Sequence, residues 1–111
     1  MPMTARTILH TLQKLINRLS ESDEHECTIT CVAIDHILNE LELWAESSED
    51  AKSKHPCAGA ASMYTAEMKG PLNSIAGLYD YGHDKEQCIA WLHGSIQKLA
   101  SVHCFEVSLY D

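Results

Sequence analysis

The chain has 111 residues, of which 45% are apolar and 6% aromatic, and its formal net charge is −8. This length suits a single domain, 1–111, and the scarcity of aromatic residues leaves leucine, isoleucine, alanine and cysteine to fill its core. The acidic balance argues against direct nucleic-acid binding, which requires a basic patch.

The acidic residues are concentrated in one part of the chain. Residues 1–20 carry three basic residues and no acid, whereas residues 21–50 carry ten acids and no lysine or arginine. In the remaining residues, 51–111, the numbers of basic and acidic side chains are nearly equal. We therefore expect the net charge to lie on one structural element.

The N-terminal segment has an apolar stripe, but polar side chains interrupt it every few residues. It therefore lacks the continuous apolar run of a signal peptide or a membrane span, and no other stretch approaches that length. We expect a cytoplasmic protein that does not bind membranes. In the cytoplasm its five cysteines would be reduced thiols, and their odd number also argues against a disulfide framework.

The first half of the chain is predicted to form two helices. Apolar residues at three- and four-residue spacing predict a helix over residues 4–19. Asp23, followed three residues later by Glu26, has the spacing of a capping box and predicts a second helix that ends near residue 47. The short link between the two helices predicts an antiparallel hairpin over residues 4–47.

At 100° per residue, the second helix has three different sides. The side expected to face the core carries Cys27, Cys31, Ile34, Leu38, Leu41 and Ala45. Beside it runs a stripe of carboxylates, Glu24, Asp35, Glu42, Glu46 and Glu49. The opposite side is apolar again, with Ile29, Val32, Ala33, His36 and Leu43. A helix with two apolar sides must bury both, so we expect the second one to form a homodimer interface or to be covered within the bundle.

The second half is predicted to hold further helices over residues 56–102, after a polar linker at 48–55. The helix that opens this region reaches Lys69, where Gly70-Pro71 either breaks it or kinks a continuing helix.

The last predicted helix opens with a second capping box, Asp84 and Gln87. The tail, 103–111, fits both a strand and a helix, and we favour a short extended end. The complete pattern predicts an all-α bundle of four to five helices.

Histidine and cysteine are frequent, and their densest group is His25, Cys27, Cys31 and His36. Zinc sites usually have shorter ligand pairs joined by a turn. Because Cys27 and Cys31 continue the apolar stripe while His36 points to the other side of the helix, we interpret the cysteines as small core residues and expect no metal and no cofactor. The alternative is a small metal-dependent or thiol enzyme that uses a His/Cys cluster.

One segment resembles a known family. Ala66-Glu67-Met68-Lys69-Gly70, followed by Gly77, is similar to the His-x-x-Lys-Gly segment of histidine-containing phosphotransfer domains, which are acidic four-helix bundles. The resemblance covers about a dozen residues. Ala66 stands where that family has its phosphorylated histidine, so the resemblance does not imply phosphotransfer.

A stripe of carboxylates without lysine repels itself and lacks the stabilisation that Glu–Lys pairs at four-residue spacing provide. We therefore expect basic side chains elsewhere to compensate the negative charge of this stripe. The sequence offers three candidates: the first helix with Arg6, Lys14 and Arg18, a second copy of the chain, or another protein with a cationic surface.

These features favour a non-catalytic protein over an enzyme. We expect an acidic regulator or inhibitor that masks a basic or apolar surface of a larger protein, as immunity proteins, anti-activators and phage-encoded inhibitors do. The residues expected to steer the partner are Asp35, Glu42, Glu46 and Glu49. The residues expected to anchor it, or a second copy, are Ile29, Val32, His36 and Leu43.

Overall fold

The structure, a computed structural model, describes residues 5–47, 61–78, 82 and 84–100. Within these residues lie four helices, α1 (Ala5–Leu19), α2 (Glu24–Ser47), α3 (Ala61–Ile75) and α4 (Lys85–Lys98). The described residues contain no strand, so the all-α prediction is confirmed for them. The predicted linker, 48–55, and tail, 103–111, lie outside them.

Side-chain caps fix the first residues of α2 and α4. The Glu26 N–H donates to Asp23 Oδ1 at 2.8 Å. At α4 both bonds of a capping box are present, because the Gln87 N–H donates to Asp84 Oδ1 at 2.8 Å and the Asp84 N–H donates to Gln87 Oε1 at 3.3 Å. These caps satisfy amide groups that have no partner inside the helix, and both lie where the sequence predicts them.

Helix α3 runs through Pro71 and ends at Ile75. Proline removes one backbone donor, whose acceptor would be the carbonyl of Glu67, and the Glu67 side of the helix is exposed to water. Of the two possibilities that the sequence left open, a continuing helix is the one observed.

A glycine turn closes α3. Gly77 has a φ of 79°, a conformation that glycine adopts without steric cost. Its N–H donates to the Ser74 carbonyl at 3.1 Å, and the Leu78 N–H donates to the Asn73 carbonyl at 3.0 Å, which together form a Schellman motif. The turn fixes the position of Leu78 beside the end of α3.

The helices pack as a ring in which α1 and α3 each contact both α2 and α4. All six residues of the predicted core stripe of α2 are buried. Helix α1 contributes Ile8, Leu9, Leu12, Ile16 and Leu19 to the core, α3 contributes Ala61, Met68 and Leu72, and α4 contributes Ile89, Leu92 and Ile96. The Thr65 side chain of α3 is also fully buried, whereas its neighbour Tyr64 is half-buried.

Two isoleucines of α2 provide a matched test of this packing. Ile34 is fully buried and Ile29 is 58% exposed. We expect Ile34→Ala to lower the free energy of unfolding by about 2–5 kcal/mol, because it leaves a cavity in the core. Ile29→Ala should change it by less than about 1 kcal/mol. Urea unfolding of both variants measures the difference, and equal losses would contradict the observed orientation of α2.

Candidate functional site

The side of α2 that faces away from the bundle carries apolar side chains. Ile29, Val32 and Leu43 expose 58, 65 and 59% of their surface, and His36 is exposed among them. On an ideal helix these four residues lie within about 60° of one another, opposite the buried stripe, and extend over about 21 Å. We call them the outer apolar face. Their side chains are exposed on the outer surface of the bundle and are not covered by the other described helices.

The acidic side of α2 lies against α3. Lys69 Nζ donates to Asp35 Oδ1 at 2.5 Å and to Asn39 Oδ1 at 3.0 Å. The Thr65 hydroxyl, one turn earlier in α3, donates to the Glu42 carboxylate. We call this contact the α2–α3 polar seam. Because the earlier residue of α3 meets the later residue of α2, the two helices run in opposite directions.

The structure therefore separates the four carboxylates that the sequence proposed for steering a partner. Asp35 and Glu42 lie in the polar seam and have partners within the chain. Glu46 is exposed near the end of α2. Glu49 lies outside the described residues. Part of the compensating positive charge thus comes from Lys69 of α3, which was not among the three candidates that the sequence suggested.

Further carboxylates border the outer apolar face. Glu40 and Glu26 lie on one side of it and Glu46 on the other, each within about 90° of its centre on an ideal helix. None of the three forms an ion pair with a described residue. We call them the acidic rim. Since α2 contains no lysine or arginine, the rim carries negative charge only.

A small cleft separates α2 from the end of α3, next to the outer apolar face. Its volume is about 110 Å³, and its lining includes Cys31, Val32, Asp35, Leu72, Ala76 and Leu78. Two of the lining residues, Leu78 and Val32, are exposed to 77% and 65%. We call it the α2–α3 cleft. Most of its lining is aliphatic, so it suits one apolar side chain of a binding partner.

A second, wider groove of about 440 Å³ lies at the corner between α1 and α2. Ile29 lines it together with polar groups that include Arg18, Glu21 and Glu26. This groove therefore continues the outer apolar face at its N-terminal end, but with a mixed lining of both charges.

Sequence reasoning missed three of these residues, although each left a signal. Thr65 lies at the three- and four-residue spacing set by its buried neighbours in α3. Lys69 follows it by one helical turn, which places both on the same side of the helix. Leu78 follows Gly77, and a hydrophobic residue in that position commonly packs back on its own helix in a Schellman motif.

The cysteines within the described residues belong to the interior. Cys27, Cys31 and Cys88 are buried free thiols. The Cys27 thiol lies 3.5 Å from the Leu19 carbonyl, to which it donates. Burial raises the pKa of Cys31 from 9.0 to about 12, with a smaller contribution from Cys27. This disfavours the thiolate that nucleophilic catalysis requires.

The histidines near these cysteines point elsewhere. His25 and His36 are exposed, whereas Cys27 and Cys31 face the core from the other side of α2. Among the residues that the structure describes, no group of three or more histidine, cysteine and acidic side chains could hold a metal ion.

No family model matches the chain, and no curated protein or solved structure is significantly similar to it. None of the helices in the described ranges combines the length and apolar character needed to cross a bilayer.

The polar seam can be tested by a double-mutant cycle on Asp35→Asn and Lys69→Met. We expect a coupling free energy of at most about 1 kcal/mol, because the Asp35 side chain is 45% exposed and water screens the pair. Glu67→Gln, on the outer side of α3, is the control and should show no coupling to Asp35→Asn. If Asp35→Asn couples to Glu67→Gln as strongly as to Lys69→Met, the ion pair between Asp35 and Lys69 does not stabilise the contact between α2 and α3.

The raised pKa of Cys31 predicts a pH dependence of stability. The thiol ionises at lower pH in the unfolded chain, so unfolding releases a proton between pH 9.0 and about 12 and stability falls through that range. Between pH 7 and 10, the wild-type protein should lose about 1 kcal/mol more free energy of unfolding than Cys31→Ala. Urea unfolding of both proteins at pH 7 and pH 10 measures this difference. An equal loss in the two proteins would contradict the prediction, because it would mean that Cys31 has the same pKa in the folded and the unfolded chain.

Proposed function

We propose that this protein is a non-catalytic, acidic binding protein of the cytoplasm, which regulates or inhibits a larger protein by covering a basic or apolar surface on it. The observation that carries the proposal is the outer apolar face. Single exposed apolar residues are normal on a folded domain. Several of them along one side of one helix, beside a cleft, are typical of a protein-binding surface.

In this proposal the apolar and charged residues have different tasks. Ile29, Val32 and Leu43 supply the buried contact area from which most binding free energy derives, with His36 among them. The acidic rim attracts a basic surface and increases the rate of encounter. Glu46 and Glu49 are proposed for direct contact with the partner.

The other two predicted steering residues have a different place in the proposal. Asp35 and Glu42 hold α3 beside α2 and thereby keep the α2–α3 cleft in shape. They contribute to the negative potential on this side of the protein, but Lys69 offsets part of it.

Two finer predictions remain part of the proposal. One is that α1 and α2 form an antiparallel hairpin. The other is the homodimer through the outer apolar face, which would use the same four residues as a larger partner and is therefore the alternative to that partner as occupant of the face. Light scattering over a range of concentrations distinguishes a monomer from such a dimer.

An affinity experiment with the immobilised protein tests the proposal. Cell lysate is applied, bound proteins are eluted with a salt gradient, and mass spectrometry identifies them. We expect Val32→Asp to reduce retention of the partner at least about tenfold, because binding would bury an unpaired carboxylate. Glu40→Lys combined with Glu46→Lys should shift elution to lower salt, because it removes attraction to a basic surface.

Each variant has a control on α3. Met63 is exposed to nearly the same extent as Val32, so Met63→Asp should retain the partner. Glu67 lies about 200° around α3 from both Thr65 and Lys69, away from α2, so Glu67→Lys should leave the elution salt unchanged. The proposal is wrong if no protein is retained, or if the α2 variants and their α3 controls behave alike.

A further inference from the structure

We infer that the outer apolar face binds a basic amphipathic helix of the partner protein, and that one aliphatic side chain of this helix enters the α2–α3 cleft. The inference rests on the proposed function and names the chemistry of the partner for the same surface.

The shape of the surface favours a helix. The outer apolar face is a nearly straight stripe of about 21 Å, which corresponds to about four turns of a facing helix. Partner helices bind such surfaces through anchors at three-, four- and seven-residue spacing. The α2–α3 cleft opens beside Val32, so one anchor on this spacing reaches it while its neighbours lie along α2.

The charges define the partner further. The acidic rim flanks the apolar face on both sides, and α2 contributes no basic side chain to it. An occupant with acidic flanks would meet like charges at close range, whereas lysine or arginine flanks would meet the rim with opposite charge. The occupant should therefore carry apolar anchors between basic residues.

The occupant needs both apolar anchors and basic flanking residues, and no described helix of a second copy supplies both. Two α2 helices face to face would match apolar anchors but oppose their acidic rims. Helix α1 of a second copy would bring the exposed basic residues Arg6, Lys14 and Arg18, but its large apolar side chains are buried or half-buried. Helix α4 exposes Trp91 with Lys85 and Lys98, but this is one large apolar side chain and not a row of anchors. None of the described helices therefore combines basic side chains with a row of exposed large apolar side chains.

The C-terminal sequence of the same chain is also a poor match. Residues 101–111 include apolar side chains together with two acids and no lysine or arginine. By charge they suit the acidic rim no better than α2 of a second copy does.

Titration with designed peptides tests the inference. The probe is an amphipathic helical peptide of leucine and lysine, about 18 residues long. The comparison peptides are its scrambled sequence and a leucine–glutamate version. We expect the leucine–lysine peptide to bind in calorimetry at least about tenfold more tightly than either comparison peptide. Added salt should weaken this binding.

Two variants locate the bound peptide. Val32→Asp places a charge in the face, and Ala76→Leu fills the cleft. Each should weaken binding at least about tenfold, whereas Met63→Asp should not. Circular dichroism checks that every variant is folded, and a Val32→Ser variant, with a smaller effect expected in the same direction, replaces Val32→Asp if that variant unfolds.

The inference is overturned if the leucine–lysine peptide fails to bind, if it binds Val32→Asp and Met63→Asp equally, or if light scattering shows a dimer that Val32→Asp dissociates. A partner that is retained from lysate and lost with Val32→Asp would, in those cases, leave the proposed function standing with a different occupant. If the lysate yields no such partner either, the proposed function fails as well.

Discussion

The burial of one narrow stripe of α2 is the constraint on which the other features depend. Cys27, Cys31, Ile34, Leu38, Leu41 and Ala45 all face the core. Helix α2 turns one side to the core, and in this arrangement of the described helices its opposite side faces solvent. Because that opposite side is apolar at Ile29, Val32 and Leu43, the same packing that stabilises the bundle exposes a surface suited to a second protein.

The acidic side of the helix has both a structural and a surface role. Asp35 and Glu42 bond to α3 in the polar seam, and this gives the α2–α3 pair polar contacts in addition to apolar ones. Such partly exposed contacts contribute little free energy, but they favour one alignment of the two helices over others. The same alignment places the end of α3, where the Gly77 turn holds Leu78, beside Val32 at the cleft.

The sequence was sufficient to predict the helices that have a strong local signal. Periodicity located α1 and α2, the cap residues Asp23 and Asp84 located two helix starts, and the buried side of α2 follows directly from its spacing. These features depend on residues close together in the chain, which is why a pattern alone reveals them.

The sequence was insufficient where contacts join distant residues. The partners of Asp35 and Glu42 lie more than 20 residues away, and a stripe of carboxylates looks the same whether it faces water, α3 or another protein. Likewise, the apolar spacing of Ile29, Val32 and Leu43 could not distinguish a side covered within the bundle from an exposed one. Helix-to-helix packing decides both points, and it depends on the whole chain.

Solvent accessibility along α2 in the free protein tests the central claim most directly. Hydroxyl-radical footprinting with mass spectrometry reports the reactivity of single side chains over a dilution series. The account predicts that Ile29, Val32 and Leu43 are modified strongly at every concentration, whereas Ile34 and Leu38 are protected. Equal protection of all five residues at the lowest concentration would contradict it, because the outer apolar face would then be covered within the chain itself.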